Sequence, residues 1–188
     1  MTLNSVYTKN RTPSEMLQHI VLFLIYTGAR KREVLDAKWQ DIDWSQKSWR
    51  IPRTKSGKIR HVPLSSGAIE LLQNLKSRIE VDELSNSNGS VDLARPIFAN
   101  PKTGEPYVSF FYSWNAARIR AGLPDLRVHD LRHSFASFLV NAGRSLYEVQ
   151  ELLGHADIRT TSRYAHLSRE RLFAAVEAVP RAGWESQV

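Results

Sequence analysis

Two arginines, two histidines and one tyrosine fall in an order that could hold and cut a phosphodiester. Arg30 lies in TGARKREVL, His129 and Arg132 share VHDLRHSFAS, and His155 and Tyr164 share LLGHADIRTTSRYAHL. A phosphate under attack gathers negative charge on its two non-bridging oxygens. A guanidinium meets that charge with paired donors in a fixed fork and keeps its proton. Each donor aimed at developing charge is typically worth about 10²–10³ in rate. Tyr164 is the nucleophile of the set. Its hydroxyl, with a free pKa of about 10, is weakly nucleophilic at neutral pH. It needs activation or an unusually electrophilic phosphate. Tyr7, Tyr26, Tyr107, Tyr112 and Tyr147 lack such flanks and read as structural.

Position supports these roles. Arg30 follows Gly28 at an expected helix-to-helix corner, and Glu33, three residues on, can hold Arg30 by an ion pair. His129 and Arg132 sit at i and i+3 on an expected helix, so both project from one face. A histidine with a free pKa of about 6.5 suits phosphate contact or proton movement. His133 reads as packing, and His61 and His166 as structural.

No metal is needed or visible in the sequence. Cysteine is absent, which removes thiolate ligands and disulfides. No H-x-H, H-E-x-x-H or carboxylate cluster appears. Two arginines can replace the cations that many phosphoryl-transfer enzymes use. Asp41 and Asp43, beside Trp44, read as solvent-facing on a hairpin strand. No cofactor is expected.

The elements that must position these residues are mostly helical. Helices are expected over about 15–26, 31–37, 65–79, 108–121, 129–141, 146–153, 158–164 and 169–178, from apolar periodicity and capping signals. Ser14 and Ser65-Ser66 read as N-terminal caps, and Gly28, Gly143 and Gly154 as stops. Three short strands are expected over 41–44, 48–52 and 59–64, with a turn at 54–58 between the last two. Residues 82–92 (DELSNSNGSVD) read as a mobile loop. The fold class is therefore mainly α with a small three-stranded antiparallel sheet (α+β). Residues 1–13 read as a flexible lead-in and 14–188 as one domain.

The chain has 188 residues, 42% hydrophobic and 24% charged, enough for a single packed core. Lys and Arg number 26 against 19 Asp and Glu, a net charge of +7 that favours a polyanionic partner, nucleic acid first. The longest apolar run, Ile20 to Tyr26, is far short of the ~20 residues a membrane span needs. With no signal peptide visible, a cytoplasmic protein is the expectation.

Taken together, TGAR–E, TKSGKIRHVPL, HDLRHSFAS and LLGHADIRTTSRYAH resemble the catalytic domain of the tyrosine recombinase (phage integrase) family. An H-x-x-R alone occurs in many helices; four motifs in order, over about residues 14–175, are specific. The resemblance implies the tyrosine recombinase catalytic-domain fold. It implies that Tyr164 attacks a DNA phosphate, leaving a 3′-phosphotyrosine and a free 5′-hydroxyl, and that strand exchange follows by transesterification. The bond energy stays in the phosphotyrosyl link, so ATP is not required. Arg30 and Arg132 become the phosphate clamp, and His129 contacts the phosphate. His155 occupies a position the family fills with His or Trp, bonded to a phosphate oxygen. A lysine in the turn of the small sheet protonates the departing 5′-oxygen. Lys55 matches that lysine, with Lys58 as the alternative. A strongly basic leaving alkoxide needs such an acid.

The resemblance also sets partners and rivals. Double-stranded DNA is the implied partner, with a homo-tetramer on DNA in the full-length protein and a monomer alone. Relatives carry an N-terminal core-binding domain that clamps the far face of DNA; here it is expected to be absent. A C-terminal helix at about 168–178 is expected. A mobile element is the implied source. A type IB topoisomerase-like enzyme shares the chemistry, but typically carries lysine where His129 stands. A non-catalytic DNA-binding remnant of an integrase is the other alternative. An intact Arg30, His129, Arg132, His155 and Tyr164 speak against it.

Overall fold

The computed structural model describes residues 13–52, 59–84, 92–100, 103–154 and 159–162. Along the chain run α1 (Pro13–Thr27), α2 (Lys31–Leu35), a 3₁₀ turn (Trp39–Asp41), β1 (Ile42–Asp43), β2 (Ser48–Ile51) and β3 (Arg60–Pro63). They are followed by α3 (Ser66–Leu84), α4 (Phe111–Arg120), α5 (Asp130–Asn141), α6 (Leu146–Leu153) and α7 (Arg159–Ser162). The expected class holds: mostly helix with one three-stranded antiparallel sheet, ordered β1-β2-β3. The chain divides into two compact units, residues 1–135 and 136–188, with the boundary inside α5.

The first unit is built around α1. Met16, Leu17, Ile20, Phe23 and Leu24 are buried in a core that also takes Val34 and Leu35 of α2 and Leu72 and Leu75 of α3. Phe23 lies 5.3 Å, centroid to centroid, from both Trp49 and Phe98. Tilted aromatic contacts of this kind add to simple burial. In the sheet, Trp49 pairs with Ile42 and Val62, and these three residues are buried. The alternate residues Arg50 and His61 pair with each other on the opposite face. Since directly paired residues share a face, Ile51 and its partner Arg60 also lie on the core side.

The second unit holds the end of α5, then α6 and α7. Gly143, with φ +89°, closes α5: its N–H bonds Val140 O at 2.9 Å and the Arg144 N–H bonds Leu139 O at 3.0 Å. Ser145 and Glu148 form a reciprocal cap on α6. The Glu148 N–H donates to Ser145 Oγ, and the Ser145 N–H donates to Glu148 Oε2 at 2.7 Å. Gly154, left-handed at φ +64°, ends α6 as the sequence predicts.

Several boundaries differ from the sequence reading. α1 begins at Pro13, so Ser14 is inside the helix, not a cap; proline suits a first helical position because its missing N–H has no partner there. α2 stops at Leu35, and α4 starts at Phe111 instead of Val108. α3 runs on to Leu84, so 82–84 are helical and not loop. Glu80, Glu83 and Leu84 are good helix formers and nothing breaks the helix earlier. Residues 85–91 and the expected helix at 168–178 lie outside the described residues. Asp41 is not solvent-facing: it ends the 3₁₀ turn, is buried, and accepts from Arg50 Nη2 at 2.8 Å. Asp43 stays exposed, its carboxylate taking the Ser45 hydroxyl and the Gln46 N–H.

Candidate active site

The corner between α1 and α2 carries Arg30. Thr27 ends α1 with its hydroxyl on Phe23 O at 2.6 Å, and the Gly28 N–H caps Leu24 O at 2.9 Å. Gly28 then turns at φ +59°. A side chain would be strained there, and a Cβ would lie 2.3 Å from the Phe135 ring. Arg30 follows in extended conformation as the residue that caps α2.

Glu33, in the first turn of α2, holds that corner with both oxygens. Oε1 accepts from Arg30 Nη1 at 2.9 Å, and Oε2 accepts from the Arg30 backbone N–H at 2.8 Å. This is no surface pair: the Glu33 side chain is only 6% exposed, against 34% for Arg30. Oε2 also accepts from Arg60 Nη2 at 2.8 Å, the third donor on this carboxylate. Burial, reinforced by the like charge of Arg30 and opposed by Glu33, pushes the Arg60 guanidinium below its ordinary range.

Arg132 lies in the first turn of α5 and is buried. Its Nη1 donates to Gly28 O at 2.6 Å. The arginine of HDLRH is therefore fastened to the backbone of TGAR, two residues before Arg30. A charged donor on a carbonyl satisfies a group that would otherwise be costly to bury.

His129 stands just before α5, not inside it, because Asp130 closes the preceding turn. The Asp130 carboxylate takes the Arg127 backbone N–H at 2.8 Å and the Arg127 guanidinium at 2.9 Å. That hydrogen-bonded arginine holds the Asp130 carboxyl below its usual range. The Arg132 N–H donates to His129 O at 3.1 Å. The His129 ring is exposed, and His133 meets it edge-on at 4.9 Å. His133, which the sequence reads as packing, stands one helical turn after His129 and abuts that ring.

Of the sequence-predicted set, Arg30, Glu33, His129 and Arg132 are described, and the structure brings Arg30 and Glu33 together, and Arg132 with the corner beside them. Lys55, with its alternative Lys58, His155 and Tyr164 lie outside the described residues. Among the described residues no group of three or more His, Asp and Glu is placed to hold a metal ion. Among them, too, no helix is long and apolar enough to cross a membrane. Arg60 was missed. The signal was available: strand alternation places it on the same side as Val62, where an arginine must be paired.

Comparison with known proteins gives this geometry a family. The model of the "Phage integrase family" matches residues 3–171. The integrase of Salmonella phage P22 is 33% identical over 166 residues, 84% of this chain and 41% of that protein. Tyrosine recombinase XerC of Roseiflexus castenholzii is 34% identical over 165 residues, 86% of this chain and 51% of that protein. The chain thus spans about half the length of the curated relatives it matches. Among solved structures, XerH site-specific recombinase bound to palindromic difH substrate, a post-cleavage complex, superposes with a TM-score of 0.66 at 25% identity, over 93% of this chain and 50% of that one. The catalytic domain of bacteriophage HP1 integrase superposes with a TM-score of 0.58 at 28% identity, over 95% of this chain and 90% of that one. With its sequence and its fold both matched over most of its length, the chain belongs to the phage integrase family.

Proposed function

We propose that this chain is the catalytic part of a site-specific DNA tyrosine recombinase. The observation that carries the reading is the buried Arg132, bonded to the corner that presents Arg30, in a chain of this family. Arg30 and Arg132 clamp the non-bridging oxygens of one DNA phosphate, and His129 and His155 bond to the same group. The Tyr164 oxygen attacks phosphorus and its proton leaves to a neighbouring base. The bond from phosphorus to the 5′-oxygen breaks, and Lys55 protonates that oxygen. A second strand's 5′-hydroxyl then reverses the step on the phosphotyrosine, completing exchange.

Residues 14–188 serve as the catalytic domain, a reading supported by the match to the separately solved HP1 catalytic domain. Double-stranded DNA is the substrate, in the cytoplasm. The net charge of +7 supports a polyanionic partner. Strand exchange proceeds in a homo-tetramer on DNA, the chain alone being monomeric.

The test is trapping on a randomised pool of nicked duplexes, where the short cleaved end diffuses away and stops religation. Wild-type chain is expected to give a denaturant-stable protein–DNA adduct, and Tyr164→Phe none, with DNA binding retained. An adduct that survives Tyr164→Phe would overturn the assignment.

A further inference from the structure

We infer that Arg60 is a positioning residue for cleavage, acting through Glu33 on Arg30; this rests on the reading of Arg30 as a phosphate clamp. Three observations carry it. Arg60 pairs with Ile51 at the last position of the β2–β3 ladder and lies on the core side, with its side chain 11% exposed. A guanidinium there is costly to desolvate, and its carboxylate partner at 2.8 Å, Glu33, is itself buried. That same carboxylate holds both the backbone N–H and the guanidinium of Arg30.

The arithmetic of charge explains why two arginines share one carboxylate. With Arg30 alone, Glu33 would rest on a partner whose guanidinium must also serve a phosphate. When the phosphate arrives, it competes with Glu33 for the same donors. Arg60, withdrawn from solvent, keeps Glu33 charge-compensated and its carboxylate plane fixed throughout. Arg30 can then turn donors to the phosphate without its anchor shifting. Arg60 is also the first residue of β3, two residues after Lys58 in the sequence. Its bond to Glu33 ties the start of β3 to the Arg30 corner, so sheet and clamp share one frame. Displacements of about 1 Å in such frames can cost about 100-fold in rate.

The experiment measures single-turnover adduct formation at saturating DNA, with a duplex enriched from the nicked pool, alongside DNA affinity and thermal unfolding. Arg60→Ala is expected to slow cleavage roughly 10- to 100-fold while affinity changes less than about 3-fold. Arg60→Lys should recover part of the rate. In an Arg30→Ala background, Arg60→Ala should cost nothing further, because it acts through Arg30. A rate within about 2-fold of wild type for Arg60→Ala, or an undiminished penalty in the Arg30→Ala background, would overturn the inference. Intact cleavage by Arg30→Ala would instead overturn the clamp itself. A second readout needs no cleavage. In ¹⁵N-arginine NMR, with the Arg30 Nε–H signal assigned through Arg30→Lys, Arg60→Ala should shift that signal and speed its exchange with water. An unmoved Arg30 signal would overturn the positioning role whatever the cleavage rates.

Discussion

Arg132 Nη1 bonds the carbonyl oxygen of Gly28 at 2.6 Å, across 104 residues of sequence. This single bond joins two motifs that the sequence shows only as separate strings. Because Gly28 is left-handed and Arg132 is buried, neither partner can adjust freely. The position of Arg30, two residues on, inherits that rigidity.

Gly28→Ala should therefore damage both fold and site. A left-handed alanine costs about 1–3 kcal/mol, and the clash with Phe135 adds to it. A total of about 2–3 kcal/mol would lower Tm by roughly 4–12 °C in a chain of this size. Calorimetry measures the loss. A Tm within about 2 °C of wild type would show that the corner yields easily.

Asp130 makes the turn beside His129 acid-sensitive. Its folded pKa lies below the ordinary 3.8, first because of the Arg127 side-chain hydrogen bond. A depressed carboxyl contributes stability that is present above the unfolded pKa and lost as pH falls through the folded one. Asp130→Asn should thus lower Tm at pH 6 and converge with wild type below the folded pKa, under pH 3.8. Melting curves across that range decide it; a constant gap would place the effect elsewhere.

How much of this was legible beforehand follows from which interactions are local. The helices with strong signals were readable: α6 between the stops Gly143 and Gly154, and the end of α1 from Gly28. The strand alternation was readable too, from Trp49, Ile51 and Val62. The Asp41 error arose because a 3₁₀ turn replaces the expected strand start, which no period-2 pattern announces. The links from Arg132 to Gly28 and from Arg60 to Glu33 join residues far apart in sequence, so spacing alone could not show them.

The acid is assigned by chemistry at the leaving oxygen. Lys55→Ala should slow cleavage of ordinary DNA by about 10²-fold or more. A substrate with sulfur at the 5′ leaving position should restore most of that rate, because a thiolate departs without a proton. Lys58→Ala should show neither effect. Exchange of the two results would move the role to Lys58.

The most direct measurement is the site of the covalent bond. The trapped adduct is digested with nuclease and protease, and the peptide that carries the nucleotide remnant is sequenced by mass spectrometry. A remnant joined through its 3′-phosphate to Tyr164, within the segment RTTSRYAHL, is the expected result. A remnant on Tyr112, Tyr147 or any other residue, or one joined through a 5′-phosphate, would contradict the proposed reaction.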